Sequence, residues 1–290
     1  MTTPHALTGL SEIADRYDVL LCDVWGVIHN GRESWPAPLE ALTRFQAEGH
    51  GQVVLISNSP RPSQDVVAQL DALNVPREAW RAFVTSGDAT RAELARRAPG
   101  PAWAIGPERD NVLYEGTGVV LTAAPDEAAL ISCTGPYDDA TETPEDYRAR
   151  FEGAVARDLE MICANPDIVV QKGDRLIYCG GALAQLYAAM GGRVTMAGKP
   201  HGPIYDLAIK EAEALLGRSV DRSRVLCIGD GVVTDVRGAN AQGLDCLFIA
   251  SGIHGGAARG QDDLVDAEKA ADLLRAETTY ARYAMLELTW

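Results

Sequence analysis

The chain has 290 residues, 47% of them apolar and 23% charged, a balance that excludes a disordered or fibrous chain and suits one large or two medium globular domains. Its formal net charge is −15 and its sequence pI is near 4.7, and lysine and arginine form no cluster, which argues against a nucleic-acid or anionic-membrane surface. No apolar run approaches the ~20 residues of a membrane helix, and the N-terminus lacks the basic-then-apolar layout of a signal peptide, so a cytoplasmic protein is expected. The six cysteines (Cys22, Cys133, Cys163, Cys179, Cys227 and Cys246) are scattered without a C-x-x-C pair, mostly in apolar stretches, and read as buried free thiols.

In chain order, Val19-Leu20-Leu21-Cys22 reads as a short buried strand ending at Asp23. A polar loop runs to Ser34, and a helix is predicted near 37–48, with Leu39, Leu42 and Phe45 on one face and Gly49 ending it. Val53-Val54-Leu55-Ile56 is a second strand. Ser63 caps a helix carrying Val66, Leu70 and Leu73, and Ala82-Phe83-Val84-Thr85 is a third strand. Repeated strand–helix units imply a parallel sheet. The pattern resumes late, with strands at Arg193–Met196, Val225–Ile228 and Cys246–Ile249 and a helix marked by Ile204, Leu207, Ala208, Leu215 and Leu216. The segment between has its own strands (119–121, 130–132, 168–170) and helices (144–158, 181–190). It reads as an inserted domain at 89–187, which leaves 1–88 and 188–290 as the two parts of a core. The expected fold is α/β, a Rossmann-like doubly wound parallel sheet with an inserted α/β domain.

Four polar groups each follow a predicted strand: Asp23 within Asp23-Val24-Trp25-Gly26; Ser57-Asn58; Gly198-Lys199-Pro200; and Gly229-Asp230-Gly231 with Asp235. In open parallel sheets the C-terminal strand edge is where ligands bind. The set suits phosphoryl transfer. A carboxylate attacking phosphorus splits one hard hydrolysis into two easier steps. Asp23 and Asp230 together suit Mg2+, which takes a few carboxylates plus water and substrate oxygens. Ser57 and nearby backbone N–H groups can donate to phosphoryl oxygens, and Lys199 supplies positive charge to them.

In order and behind strands, these motifs resemble the haloacid dehalogenase (HAD) superfamily. The insertion between the second and third motifs, with Ile56-Ser57-Asn58-Ser59, Ala164-Asn165-Pro166-Asp167 and Gly198-Lys199-Pro200, is similar to the type-2 cap of subclass IIA, the NagD-like phosphatases. The resemblance implies a Mg2+-dependent phosphohydrolase acting on a small phosphorylated metabolite such as a sugar phosphate. Asp23 would be the nucleophile and Lys199 a catalytic partner. Ser57, Asn58 and Lys199 would bind phosphate; Asp23, Asp230 and the backbone carbonyl of Trp25 would hold the metal. Asp235 would support them, holding Lys199 or a metal-bound water, and Asn165 and Asp167 would select substrate from a cap loop. A homodimer through the cap is also implied.

One position departs from the pattern. Phosphatases of this superfamily carry Asp two residues after the nucleophile, as acid and then base; here that position is Trp25. An indole N–H donates a hydrogen bond but does not shuttle a proton near neutral pH. His29 and His201, close in sequence to the first and third motifs, are candidates for the missing role. Trp25 itself reads either as a packing residue or as a wall for a substrate ring. Asp88 and Tyr178 carry no specific signal, and Asn58 and Thr234 read as loop-ordering residues rather than catalysts. The alternative function is a HAD-fold binding or regulatory protein that kept the metal site and lost efficient turnover through Trp25.

Overall fold

The structure, a computed structural model, describes residues 3–172, 175–260 and 264–290. The chain divides into two compact units: residues 1–57, 67–84 and 205–290 in the first, and 58–66 and 85–204 in the second.

The first unit is built on a seven-stranded sheet, in the spatial order His5–Ala6, Tyr283–Met285, Asp245–Ile249, Val225–Gly229, Val19–Asp23, Gln52–Ser57 and Ala82–Thr85. The strands from His5–Ala6 through Gln52–Ser57 pair in parallel. From Val19–Asp23 the chain progresses outward in one direction, and from Val225–Gly229 in the other. The order therefore reverses between these two strands, the point where doubly wound sheets form their crevice. All five residues of Val19–Asp23 and all five of Val225–Gly229 are buried. Burial on both faces is why these strands read as continuous apolar runs rather than alternating ones. The helix Pro36–Ala47 starts with proline in its first turn and buries Leu39, Leu42 and Phe45. Gly49, at φ +81°, follows it.

The second unit carries a five-stranded sheet in the order Arg193–Met196, Glu160–Cys163, Leu130–Cys133, Ala102–Ile105 and Leu121–Thr122, with every pairing parallel. Val169–Lys172 and Arg175–Tyr178 form a separate antiparallel hairpin. Trp103, Tyr147, Phe151, Met161, Leu183 and Tyr187 are the large members of its core. The strand Arg193–Met196, expected in the core sheet, belongs here instead. It pairs with Glu160–Cys163, and Val194 and Met196 pack on the Trp103–Phe151 cluster. The helix Gly180–Ala189 returns the chain to the same sheet, which sequence periodicity does not reveal. The second unit thus runs on to residue 204 rather than ending at 187, and it takes in 58–66 from before the expected boundary.

All six cysteines are buried and none forms a disulfide. Among the described residues no helix is long and apolar enough to cross a membrane.

A half-buried ion pair links two segments of the second unit. The Arg97 guanidinium donates twice to Glu160, at 3.0 Å from both Nε and Nη2, and Thr195 Oγ1 donates to Glu160 Oε1 at 2.6 Å. Burial disfavours the Glu160 carboxylate, but Arg97 and Thr195 outweigh it and hold its pKa below the usual value of 4.5. A depressed carboxylate pKa stabilises the fold above the unfolded value, and that stability is lost as pH falls through the folded value. Glu160→Gln should therefore cost about 1–3 kcal/mol at pH 7 in urea unfolding. The gap from wild type should close as pH drops below 4.5. A gap independent of pH would mean that the carboxylate charge contributes nothing.

Candidate active site

Pair register brings three of the expected site residues to one edge of the first sheet. Asp23 lies opposite Ile56, so Ser57 is one step further along the neighbouring strand. On the other side Ile228 lies opposite Cys22, which leaves Gly229 and Asp230 at the same edge. Asp235 follows on the one-turn helix Val232–Val236.

Asp23, Asp230 and Asp235 are all buried and each offers a carboxylate oxygen within 4.8 Å of the others. At an effective dielectric of about 20, unit charges at such a distance repel by roughly 3–4 kcal/mol per pair. Backbone and hydroxyl donors surround the cluster. Ile253 N donates to Asp230 Oδ2 at 2.6 Å, and Gly231 N and Thr234 Oγ1 donate to Asp235 Oδ2 at 3.1 and 3.2 Å. An all-oxygen set of three carboxylates suits a hard divalent cation. Two glycines fit closely around Asp230: a Cβ on Gly26 would lie 2.2 Å from its Oδ2, and one on Gly252 would lie 2.0 Å away. Thr234 orders the loop, as its sequence context implied. Gly252 and Ile253 carried no sequence signal, because their contact with Asp230 exists only once their loop folds back to it.

Trp25 is 57% exposed, so it is not a packing residue of the core. Its ring lies over Gly31, where a Cβ would come within 2.3 Å of Cη2, and meets His29 edge-on at 5.5 Å. His29 is 3% exposed, and its Nδ1 accepts from Gly31 N at 3.0 Å. Burial lowers the His29 pKa, so near neutral pH it is an uncharged ring that ties the turn together.

The remaining predicted residues gather in the second unit. Asn58 Oδ1 accepts from Lys199 N at 2.8 Å, while its Nδ2 donates to Lys199 O at 3.1 Å and to Asp167 Oδ1 at 3.2 Å. The amide of Asn58 is thus engaged in ordering the Lys199 loop. Asn165 Oδ1 accepts from Asp167 N at 3.1 Å, closing the turn that presents Asp167. Gly198 is packed against Asn58, Ser86 and Pro166, with no room for a Cβ. Ser86, which the sequence did not single out, donates its hydroxyl to Ala164 O. Lys199 is 2% exposed. His201 lies at the surface of this unit and Tyr178 in its hairpin. Asp88 completes the capping box of the helix Ser86–Ala95.

Comparison with known proteins fits this arrangement. Residues 20–120 match the haloacid dehalogenase-like hydrolase family, and residues 196–276 match a HAD-hydrolase-like family. A crystal structure of a haloacid dehalogenase-like hydrolase from Brucella suis is 45% identical, with a TM-score of 0.81 over 97% of this chain and 99% of that one. The chain belongs to the HAD-like hydrolase family. Among other relatives, the 5'-nucleotidase YutF of Bacillus subtilis is 23% identical over 82% of this chain and 88% of its own. A Mycobacterium tuberculosis glycerol phosphate phosphatase, solved in complex with magnesium, shares the fold at TM-score 0.64 and 23% identity, over 86% of this chain and 73% of that one. The HAD resemblance read from the four motifs is thereby borne out, as is the Rossmann-like α/β fold.

The glycine cradle of this HAD protein can be tested directly. Gly26→Ala combines a backbone at φ +80° with a clash on Asp230, whereas Gly49→Ala has φ +81° and nothing within 4 Å. Both should lose about 1 kcal/mol from backbone strain. Only Gly26→Ala should also weaken Mg2+ binding, by about tenfold or more in calorimetry. Equal affinities in the two variants would show that the Asp230 position does not govern the cation.

Proposed function

We propose that the protein is a Mg2+-dependent phosphatase of small phosphorylated metabolites, sugar phosphates among them, acting through an aspartyl-phosphate on Asp23. The observation that carries this reading is the buried trio Asp23, Asp230 and Asp235 at the strand-order reversal of a HAD-family sheet. The names of the relatives, a 5'-nucleotidase and a glycerol phosphate phosphatase, support phosphate monoesters as the substrate class.

In this reading a carboxylate oxygen of Asp23 attacks phosphorus. The bond from phosphorus to the ester oxygen breaks, and the alcohol departs with the electron pair. Water then attacks the same phosphorus, the bond to Asp23 breaks, and inorganic phosphate leaves as the water proton passes to solvent. Asp23, Asp230 and the Trp25 carbonyl would hold Mg2+, which when bound offsets the charge of the phosphoryl oxygens. Ser57 donates to those oxygens. Lys199, ordered by Asn58, supplies the positive charge that the motif order assigns to it. Asn165 and Asp167 belong to the loop that selects substrate.

Neither half-reaction has a carboxylic acid at position 25. General acid–base help is worth about 10²–10⁴-fold, so the phosphorylated Asp23 should persist. Asp23→Asn should abolish Mg2+-dependent hydrolysis of an aryl phosphate; no such hydrolysis by wild type would favour the binding-protein alternative, and a variant as active as wild type would mean that Asp23 is not the nucleophile. Wild type should give a pre-steady-state burst with an activated aryl phosphate. Trp25→Asp should hydrolyse the intermediate faster, by about 10²-fold. Because the indole is largely exposed, this change opens no core cavity and should leave folding nearly intact. Absence of a burst, with no gain in the variant, would mean that another group already activates water or that Asp23 is not phosphorylated. Beryllium fluoride, seen bound at Asp23 or absent, separates those two cases.

A further inference from the structure

Three large exposed apolar side chains lie on the loops that carry or touch the carboxylate trio: Trp25 at 57%, Val233 at 44% and Ile253 at 77%. They come from loops after three neighbouring strands, Val19–Asp23, Val225–Gly229 and Asp245–Ile249. Trp25 is one residue from Gly26, which packs on the Asp230 carboxylate, and Ile253 itself donates to that carboxylate through its N–H. Val233 lies two residues before Asp235, on the one-turn helix that carries it. Scattered surface hydrophobics are ordinary. Here, however, three of the six large exposed ones among the described residues of the first unit (the others being Leu215, Leu264 and Tyr280) lie within two residues of backbone that carries or touches a single buried charged cluster.

The indole is also held in place. Gly31, at φ +83°, lets the chain turn beneath the ring, and the edge of His29 supports it. A ring fixed before binding loses little freedom when a ligand stacks on it. The chemistry points the same way. With an indole two residues after the nucleophile, the leaving alcohol receives no proton there and departs as its anion. Departure of that kind is fast for phenols and slow for alkyl alcohols.

We infer that, among the small phosphate esters of that reading, the site favours those of flat aromatic alcohols over alkyl ones, with the ring lying on the Trp25 indole and bordered by Ile253 and Val233. This inference rests on the phosphatase reading for the bond that is cleaved, but its binding part can be measured without turnover. Trp25 and Ile253 are specificity residues here, and the reaction releases the aryl alcohol as its anion, which takes a proton from water.

The test measures binding of three non-hydrolysable phosphonates by calorimetry with Mg2+ present: ethyl-, benzyl- and 1-naphthylmethylphosphonate. Wild type should bind the naphthyl compound about tenfold or more tighter than the ethyl one, with benzyl between. Trp25→Ala should remove most of that preference, Trp25→Phe should keep part of it, and Ile253→Ala should reduce it about threefold. Circular dichroism establishes that each variant is folded, and Ile253→Ala decides the matter if Trp25→Ala is not. Equal affinities across the three compounds, or a preference untouched by both alanine changes, would overturn the inference. Hydrolysis of phenyl and glycerol phosphates is followed separately. Ring-dependent binding without any hydrolysis would overturn the phosphatase reading and leave the aromatic site standing. Hydrolysis without ring-dependent binding would do the reverse.

Discussion

Burial of three carboxylates at one sheet edge is the constraint around which the first unit is organised. Like charges so close together destabilise the fold unless donors or a cation compensate them. The protein answers with backbone geometry. Ile253 N–H points at Asp230, Gly231 N–H and Thr234 Oγ1 at Asp235, and glycines stand where any side chain would strike Asp230 or Asp235. Gly26, Gly229, Gly231 and Gly252 each leave less than 3 Å for a Cβ beside one of these carboxylates. Three carboxylate oxygens gathered within 4.8 Å of one another form the all-oxygen donor set on which the proposed cation site rests.

The second unit solves a different problem, the ordering of a buried lysine. Asn58 closes a pair of hydrogen bonds with the backbone of Lys199, and Gly198 lets that loop approach Asn58, Ser86 and Pro166. Buried amides are costly unless their donors and acceptors are used, and Asn58 uses both ends of its side chain. The same amide reaches Asp167, so the Lys199 loop and the Asn165–Asp167 turn share one support.

Trp25 sets the chemical character of the protein. The carboxylate trio is gathered at the sheet edge, while the position two residues after Asp23 carries a side chain with no usable pKa. His29, beside it, is buried, its Nδ1 accepts from Gly31 N, and burial disfavours its charged form. The indole faces solvent instead of the core, a position in which it can contact a ligand.

The sequence by itself determined the strands that end in chemistry. Val19–Cys22 and Val225–Ile228 are apolar on every residue because both faces of a central parallel strand are covered, and the polar residue after each run marks the sheet edge. Order and spacing of Asp23, Ser57, Lys199 and Asp230 were enough to assign the family. Only the tertiary structure decided which sheet Arg193–Met196 joins, because a short strand pairs equally well on local pattern with any parallel neighbour and long-range packing on Trp103 and Phe151 makes the choice. It likewise decided that Asn58 spends its amide on Lys199 and Asp167, that Trp25 is exposed, and that Gly252 and Ile253 belong to the site. Each of these depends on contacts between residues far apart in the chain, such as Ile253 with Asp230 or Asn58 with Lys199, and local periodicity carries no record of them.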